Sequence, residues 1–332
     1  MRHHGRLLLV RVGTPALVAL MVMACSRGGE PAAEPEAQDG PTTPATSATA
    51  ASAQVESAAP SPASTAATPE EYQQVLTQID ERLAERFEEV SKVRSPVGLP
   101  DALATLRRQV DEGRAALAEI VPPEAVGRAH DELDAALSGL SADVSTVENA
   151  AASNLVCAGS AAVRRIGNND GAAAVRAAGA GLAESDPVEE YTVGTFVPEP
   201  GKQRHRRGQN GDLEPGRRSG LGVMRITGSP ESDSLIKLRI KKRGIRNVYV
   251  RSDSTVEVND LPDGRYAIFI AQGTDWDGRS NRFTRRCAFS RLDGTFEFTT
   301  TETQYTVWEL ELLESVLGNA PSSPVDPGDF PN

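Results

Sequence analysis

Residues 265–289 read RYAIFIAQGTDWDGRSNRFTRRCAF, and this stretch decides the fold of the C-terminal part of the chain. Two runs rich in branched and aromatic residues, RYAIFIA and RFTRRCAF, flank TDWDGRSN, a segment of turn formers in which Gly278 permits a sharp bend. The layout predicts paired strands. Phe283, Cys287 and Phe289 share one strand face, so Cys287 is expected to point inward. Working outward, GLGVMRI, SLIKLRI, NVYVR, STVEVN, TFEFTT and QYTVWELEL repeat the texture between turn residues such as Pro262-Asp263-Gly264 and Asp293-Gly294. Trp308, Leu310 and Leu312 alternate with Glu309 and Glu311, as a half-buried strand requires. About eight strands at this spacing predict an all-β sandwich over residues 190–314, with residues 315–332 as a flexible tail.

Upstream the period changes. Tyr72, Val75, Ile79, Leu83, Phe87 and Val90 recur at helical spacing, and Glu70 and Glu71 suit the positive end of a helix dipole. A second helix is predicted from Pro100 to Ile120, and Val121-Pro122-Pro123 stops it. A third carries Val126, Leu133, Leu137, Leu140, Val144 and Val147 and continues toward Leu155. GNNDG at 167–171 reads as a loop before a short, alanine-rich helix from Ala172 to Leu182. Connections this short predict a helical bundle over residues 70–186, making the chain an α+β multidomain protein.

The N-terminus has the layout of a secretory signal: Arg2, Arg6 and Arg11, then the apolar stretch ALVALMVMA ending at Cys25. The apolar stretch is shorter than the roughly 20 residues of a membrane-spanning helix. Residues 25–69, rich in Ala, Pro, Thr and Ser, cannot bury enough apolar surface to fold and predict a disordered linker. The whole chain carries a net charge of -11. An acidic, exported chain does not suit nucleic acid as a partner.

Four resemblances attach to these residues. Val22-Met23-Ala24-Cys25 resembles the lipobox of bacterial lipoproteins, which implies cleavage after residue 24 and acyl chains of the palmitate type on Cys25. Two or three such chains hold a protein on a membrane stably where one would not. The segment PPEAVGRAHDELDAALSGL at 122–140 is similar to one in helical domains of exported actinobacterial lipoproteins. Residues 190–330, with the DWD at 275–277, FTRRCAF at 283–289, FTTT at 298–301 and nearby Trp308, resemble the C-terminal domain of a group of uncharacterised exported actinobacterial proteins. That resemblance implies an extracytoplasmic β-domain and no assigned activity. STVEVNDLPDGRYAIFI at 254–270 is also similar to the edge of carboxypeptidase-regulatory and PEGA-type sandwiches.

Candidate chemistry is sparse. With Cys25 committed to lipid, Cys157 and Cys287 remain, and two thiols in an oxidising compartment predict one disulfide joining the two domains, the alternative being two buried, unpaired thiols in separate cores. Asp275, Asp277 and Asn281 supply alternating oxygens that suit calcium, but the loop lacks a terminal bidentate glutamate, and the favoured reading of the segment is a structural β-turn, calcium being the alternative. Basic residues cluster at 202–207 (KQRHRR) and 237–246 (KLRIKKRGIR), and residues 190–313 hold 20 basic against 17 acidic side chains, about +3. This asymmetry points to anionic envelope polymer, whereas basic strand edges also serve simply to discourage edge pairing. Only His130 and His205 follow the lipobox, and no nucleophile elbow, phosphate loop or zinc spacing is present. The reading is a lipid-anchored binding protein of the cell surface that works through its β-domain, the alternative being a cell-wall glycan hydrolase.

Overall fold

The computed structural model describes residues 65–213, 216, 218–312 and 321–331. The expected signal peptide, Cys25 and the linker up to residue 64 lie outside the described residues. The described chain is α+β, with five α-helices followed by ten strands.

Helix α1 (Pro69–Lys92) begins on a capping box, in which the Thr68 hydroxyl accepts from the Glu71 N–H and the Glu71 carboxylate accepts from the Thr68 N–H. Pro69 occupies the first turn, where its missing N–H costs nothing. Helices α2 (Leu99–Ala118) and α3 (Gly127–Ala152) follow, separated by a 3-10 turn at Glu124–Val126. The apolar stripes of all three meet in one core that includes Leu76, Leu83, Leu106, Val110, Leu133 and Leu140.

The connection after α3 differs from the reading of the sequence. The third helix ends at Ala152 rather than continuing to Leu155, and a further helix, α4 (Gly159–Gly167), precedes α5 (Asp170–Ser185). Only Asn168 and Asn169 of GNNDG lie between helices. Nine residues opened by glycine and carrying Arg164-Arg165 give too short a periodic signal to stand out in sequence. Two glycines let these helices dock. A Cβ on Gly159 would lie 1.6 Å from the Val90 carbonyl oxygen of α1, and one on Gly171 would lie 2.4 Å from the Gly139 carbonyl carbon of α3. Side chains there would push the backbones apart.

The boundary at residue 190 also moves. Tyr191, Val193, Phe196 and Val197 are buried in the helical core, with Tyr191 edge-on to Tyr72 and Phe196 stacked on Phe87. Their β-like composition reflects an extended segment lying on helices, not a strand.

The strands are β1 (Gly211–Asp212), β2 (Gly222–Thr227), β3 (Asp233–Ile240), β4 (Arg243–Val250), β5 (Thr255–Leu261), β6 (Gly264–Asp277), β7 (Arg282–Leu292), β8 (Phe296–Phe298), β9 (Val307–Glu311) and β10 (Ser322–Pro324). A larger sheet runs β1-β4-β3-β6-β7-β10 with β8 beside β6, and a smaller one runs β5-β2-β9, its β2–β9 pair being parallel. Met224, Ile226 and Val258 of the smaller sheet share a core with Ile236, Leu238, Val248 and Ile268 of the larger. The other face of the larger sheet buries Leu235, Tyr249, Ala271, Trp276, Phe283 and Cys287 together with Cys157 and Phe330. Strand β3 is therefore covered on both sides, and its first six residues are all buried.

The expected flexible tail at 315–332 is corrected for residues 321–331. Strand β10 pairs with Ser290–Leu292 of β7, and Phe330 packs edge-on against Phe269 and Phe289. Lys237 Nζ donates to the Pro331 carbonyl at 2.7 Å. These residues cover apolar surface that the helices leave open, which offsets the entropy of ordering them.

Candidate functional site

The site lies where α4 meets β6 and β7. After α3, residues Asn154–Cys157 run beside β7: Cys157 N–H donates to the Thr284 carbonyl at 2.8 Å, Arg286 N–H to Leu155 at 3.2 Å and Cys287 N–H to Asn154 at 2.9 Å. A disulfide between Cys157 and Cys287, S–S 2.16 Å, fastens the same place.

Opposite this junction the β6–β7 ladder shifts register between Gln272 and Thr274, and Asp275 and Arg286 take left-handed backbone angles, φ 59° and 50°. A regular strand sends neighbouring side chains to opposite faces. The bulge instead leaves Arg285 and Arg286 lining one cleft.

That cleft has a volume of about 620 Å³. Arg164 and Arg165 reach it from the last turn of α4, Arg204 and His205 from the 202–207 run, and Arg285 and Arg286 from β7. Among the described residues, none of these five arginines has a carboxylate within ion-pair distance. Burial and then the neighbouring guanidinium of Arg204 pull Arg164 below its ordinary pKa, against the opposing pull of Asp275. Burial likewise lowers Arg285, with Asp275 opposing and Arg286 adding repulsion. The cleft holds concentrated positive charge, partly out of water.

Asp275 is the one carboxylate in the lining, and it is already engaged. Arg206 binds it with two guanidinium donors at 2.9 Å and its backbone N–H at 3.1 Å, and Thr284 Oγ1 donates at 2.6 Å. Burial opposes its ionisation, but these donors outweigh burial and hold it at about 2. Next door, Arg207 pairs with the buried Asp233, which also accepts from Tyr249 Oη at 2.6 Å and Ser252 N–H at 2.9 Å. The 202–207 run thus divides. Arg206 and Arg207 pin the segment to the sheet, and Arg204 and His205 are left facing the cleft.

The three residues of the calcium reading, Asp275, Asp277 and Asn281, are engaged as follows. Asp275 and Asp277 are strand residues rather than turn residues, and Asp277 accepts from Ser280 Oγ at 2.6 Å with Arg206 Nη1 3.5 Å away. Asn281, at φ 50°, closes the hairpin. The Arg206 guanidinium lies within ion-pair distance of both aspartates, and the described residues contain no group of three or more His, Cys, Asp or Glu able to hold a metal. The second basic run also divides: Lys237 and Arg246 are buried, whereas Lys241, Lys242 and Arg243 are exposed at the β3–β4 hairpin. His130 lies elsewhere, buried in the helical core with Nδ1 3.2 Å from Tyr72 Oη.

Sequence reasoning missed Arg164, Arg165, Arg285 and Arg286 as site residues. A signal was available, since both pairs fall within eight residues of a cysteine. Joining Cys157 to Cys287 holds the two arginine pairs within a short stretch of chain of each other, and the direction of α4 and the bulge of β7 do the rest.

Comparison with protein-family models, with curated proteins and with solved structures finds no match to this chain. Among the described residues no helix is long and apolar enough to cross a membrane.

Proposed function

We propose that this chain is a non-enzymatic, extracytoplasmic lipoprotein whose arginine-lined cleft binds an anionic component of the cell envelope. In this reading acyl chains on Cys25 hold the protein at the membrane, residues 25–69 space it outward, and a helical bundle joined to a two-sheet sandwich forms the binding head. The observation that carries it is the set of five guanidiniums around one cleft with no carboxylate partner among the described residues. Like charges gathered at this cost in repulsion and desolvation favour an anion that neutralises them. The hydrolase alternative needs two free carboxylates flanking a scissile bond. The cleft lining offers Asp275 alone, bound to Arg206.

Two measurements test the reading. Intact mass of the membrane-extracted protein should begin at residue 25 and carry diacylglycerol plus an amide-linked acyl chain; a mass without lipid would remove the anchor. Cosedimentation of the full chain with isolated envelopes should fall at least roughly tenfold in the R165Q/R204Q/R286Q variant, and should weaken with salt. Equal sedimentation of parent and variant would remove the cleft as the site.

A further inference from the structure

We infer that the ligand of the cleft is a phosphorylated sugar, its phosphate held among the guanidiniums and its hydroxyls against the neutral polar side chains beside them. The inference rests on the cleft being the ligand site and specifies what enters it.

The first reason is the kind of cation. Apart from His205, every basic residue of the lining is arginine, and none is lysine. A guanidinium presents a planar fork that engages two oxygens of one group, whereas an ammonium acts as a point charge. The second is the amount of charge. Five guanidiniums around one volume are poorly matched by a single carboxylate, and a phosphomonoester brings about -1.5 to -2 at neutral pH with three acceptor oxygens. A phosphodiester polymer brings one charge at every repeat. Third, Ser160 and Ala161, in the first turn of α4, also face the cleft, and the N-cap there is Ala158, which supplies no side-chain acceptor. The Gly159 and Ala161 N–H groups are already taken by the Val93 and Ala158 carbonyls, so α4 contributes the Ser160 hydroxyl at this end and Arg164 and Arg165 at the other.

The neutral side of the lining identifies the rest of the ligand. Ser160, Asn169 and Gln203 line the cleft, and their side chains have no hydrogen-bond partner among the described residues. Hydroxyl and amide groups of this kind donate and accept at once, which suits sugar hydroxyls. No Phe, Tyr or Trp lines the cleft, so a nucleobase would lack the aromatic faces on which bases stack. The volume of about 620 Å³ falls in the usual range for small-ligand sites and exceeds what phosphate alone would fill.

Isothermal titration of the full chain in detergent tests this with inorganic phosphate, glucose 6-phosphate, polyglycerol phosphate, oligogalacturonate and glucose as probes. Glucose 6-phosphate should bind about tenfold more tightly than inorganic phosphate and oligogalacturonate, and glucose should not bind. R164Q/R285Q should abolish binding, and R204Q/R286Q, made at exposed positions and checked by circular dichroism, should weaken it about tenfold if the first variant does not fold. K241Q/R243Q, at the distant hairpin, should leave it unchanged. S160A/Q203A should bring glucose 6-phosphate down to the affinity of inorganic phosphate, and a preserved preference would overturn the sugar half of the inference. Polyglycerol phosphate, which carries no sugar ring, binding more tightly per phosphate than glucose 6-phosphate would overturn the sugar half of the inference, and the reverse would support it. Oligogalacturonate binding as tightly as the phosphates would overturn the inference and leave the anion-binding reading standing. Binding of no probe beyond that of R204Q/R286Q would overturn both.

Discussion

The helical region and the sheet region of this protein solve burial in different ways. Among the described residues the helical region buries one polar side chain, His130, whereas the sheet region buries Ser229, Asp233, Ser234, Lys237, Arg246, Asp275 and Thr284. The helices can be almost purely apolar inside because each satisfies its own backbone, and their charges pair along the surface, as Glu88 does with Lys92. The larger sheet has both faces covered, so polar residues that alternation would send to solvent are enclosed instead, and although Ser234 Oγ and Arg246 Nε and Nη2 have no hydrogen-bond partner among the described residues, the buried carboxylates find partners. Asp233 and Asp275 find them in Arg207 and Arg206, which carry the basic segment onto the sheet. The cleft sits at the junction because the sheet anchors an arginine-rich segment there and α4 brings in two more arginines.

The disulfide couples the two regions most strongly. Replacing Cys157 and Cys287 with serine removes a link between residues 130 apart in sequence, which chain-entropy reasoning values at about 4 to 5 kcal/mol. Both tryptophans, Trp276 and Trp308, lie in the sheet region, so fluorescence follows the sheets while far-UV circular dichroism is dominated by the helices. In urea the parent should show coincident transitions by the two probes, and the variant should show separated ones. Coincident transitions in the variant would mean that packing alone couples the regions.

A smaller effect separates the regions by acid. Asp275 is held at about 2 in the folded chain against 3.8 for an unperturbed aspartate. Its contribution is present above the unfolded value and is lost as pH falls through the folded one. Asp275→Asn should therefore cost the sheet region about 2 kcal/mol at neutral pH, with the difference from the parent vanishing between about pH 4 and pH 2. Fluorescence-detected urea titrations across that range read it directly, and a difference independent of pH would show that lost packing, not charge, is responsible.

The smallest effect belongs to the helices. Burial lowers the pKa of His130 despite the nearby carboxylates of Asp131 and Asp134. The unfolded chain then takes up the proton first, so the helical region should lose stability as pH drops below about 6.5, well above the range in which Asp275 acts. Tyr72→Phe deletes the hydroxyl 3.2 Å from His130 Nδ1 and should cost about 1 kcal/mol, seen by circular dichroism.

Much of this architecture was legible from residue spacing. The stripes of α1, α2 and α3 declare themselves because each repeats an apolar residue over several turns, and β6 and β7 because their runs are long and bounded by turn formers. Helix α4 was hidden by its length, and Tyr191 to Val197 by the fact that a buried extended segment has the composition of a strand. The basic run at 202–207 was visible as charge, but nothing in its order of residues says that Arg206 and Arg207 are neutralised while Arg204 is not. That division depends on Asp275 and Asp233, which lie 69 and 26 residues away from their partners.

Local periodicity by itself determined that the chain has a helical part and a β part, because 3.6-residue and 2-residue repeats are properties of neighbouring residues. It also left Cys157 and Cys287 as the two thiols beyond the N-terminal Cys25. Tertiary structure alone decided that the tail covers a sheet face, that an aspartate suited to calcium binds an arginine instead, and that arginines from α4, β7 and the connecting segment share one cleft. The physical reason is that burial, charge compensation and bulge geometry arise from residues distant in sequence, and no local pattern records which distant partner will be there.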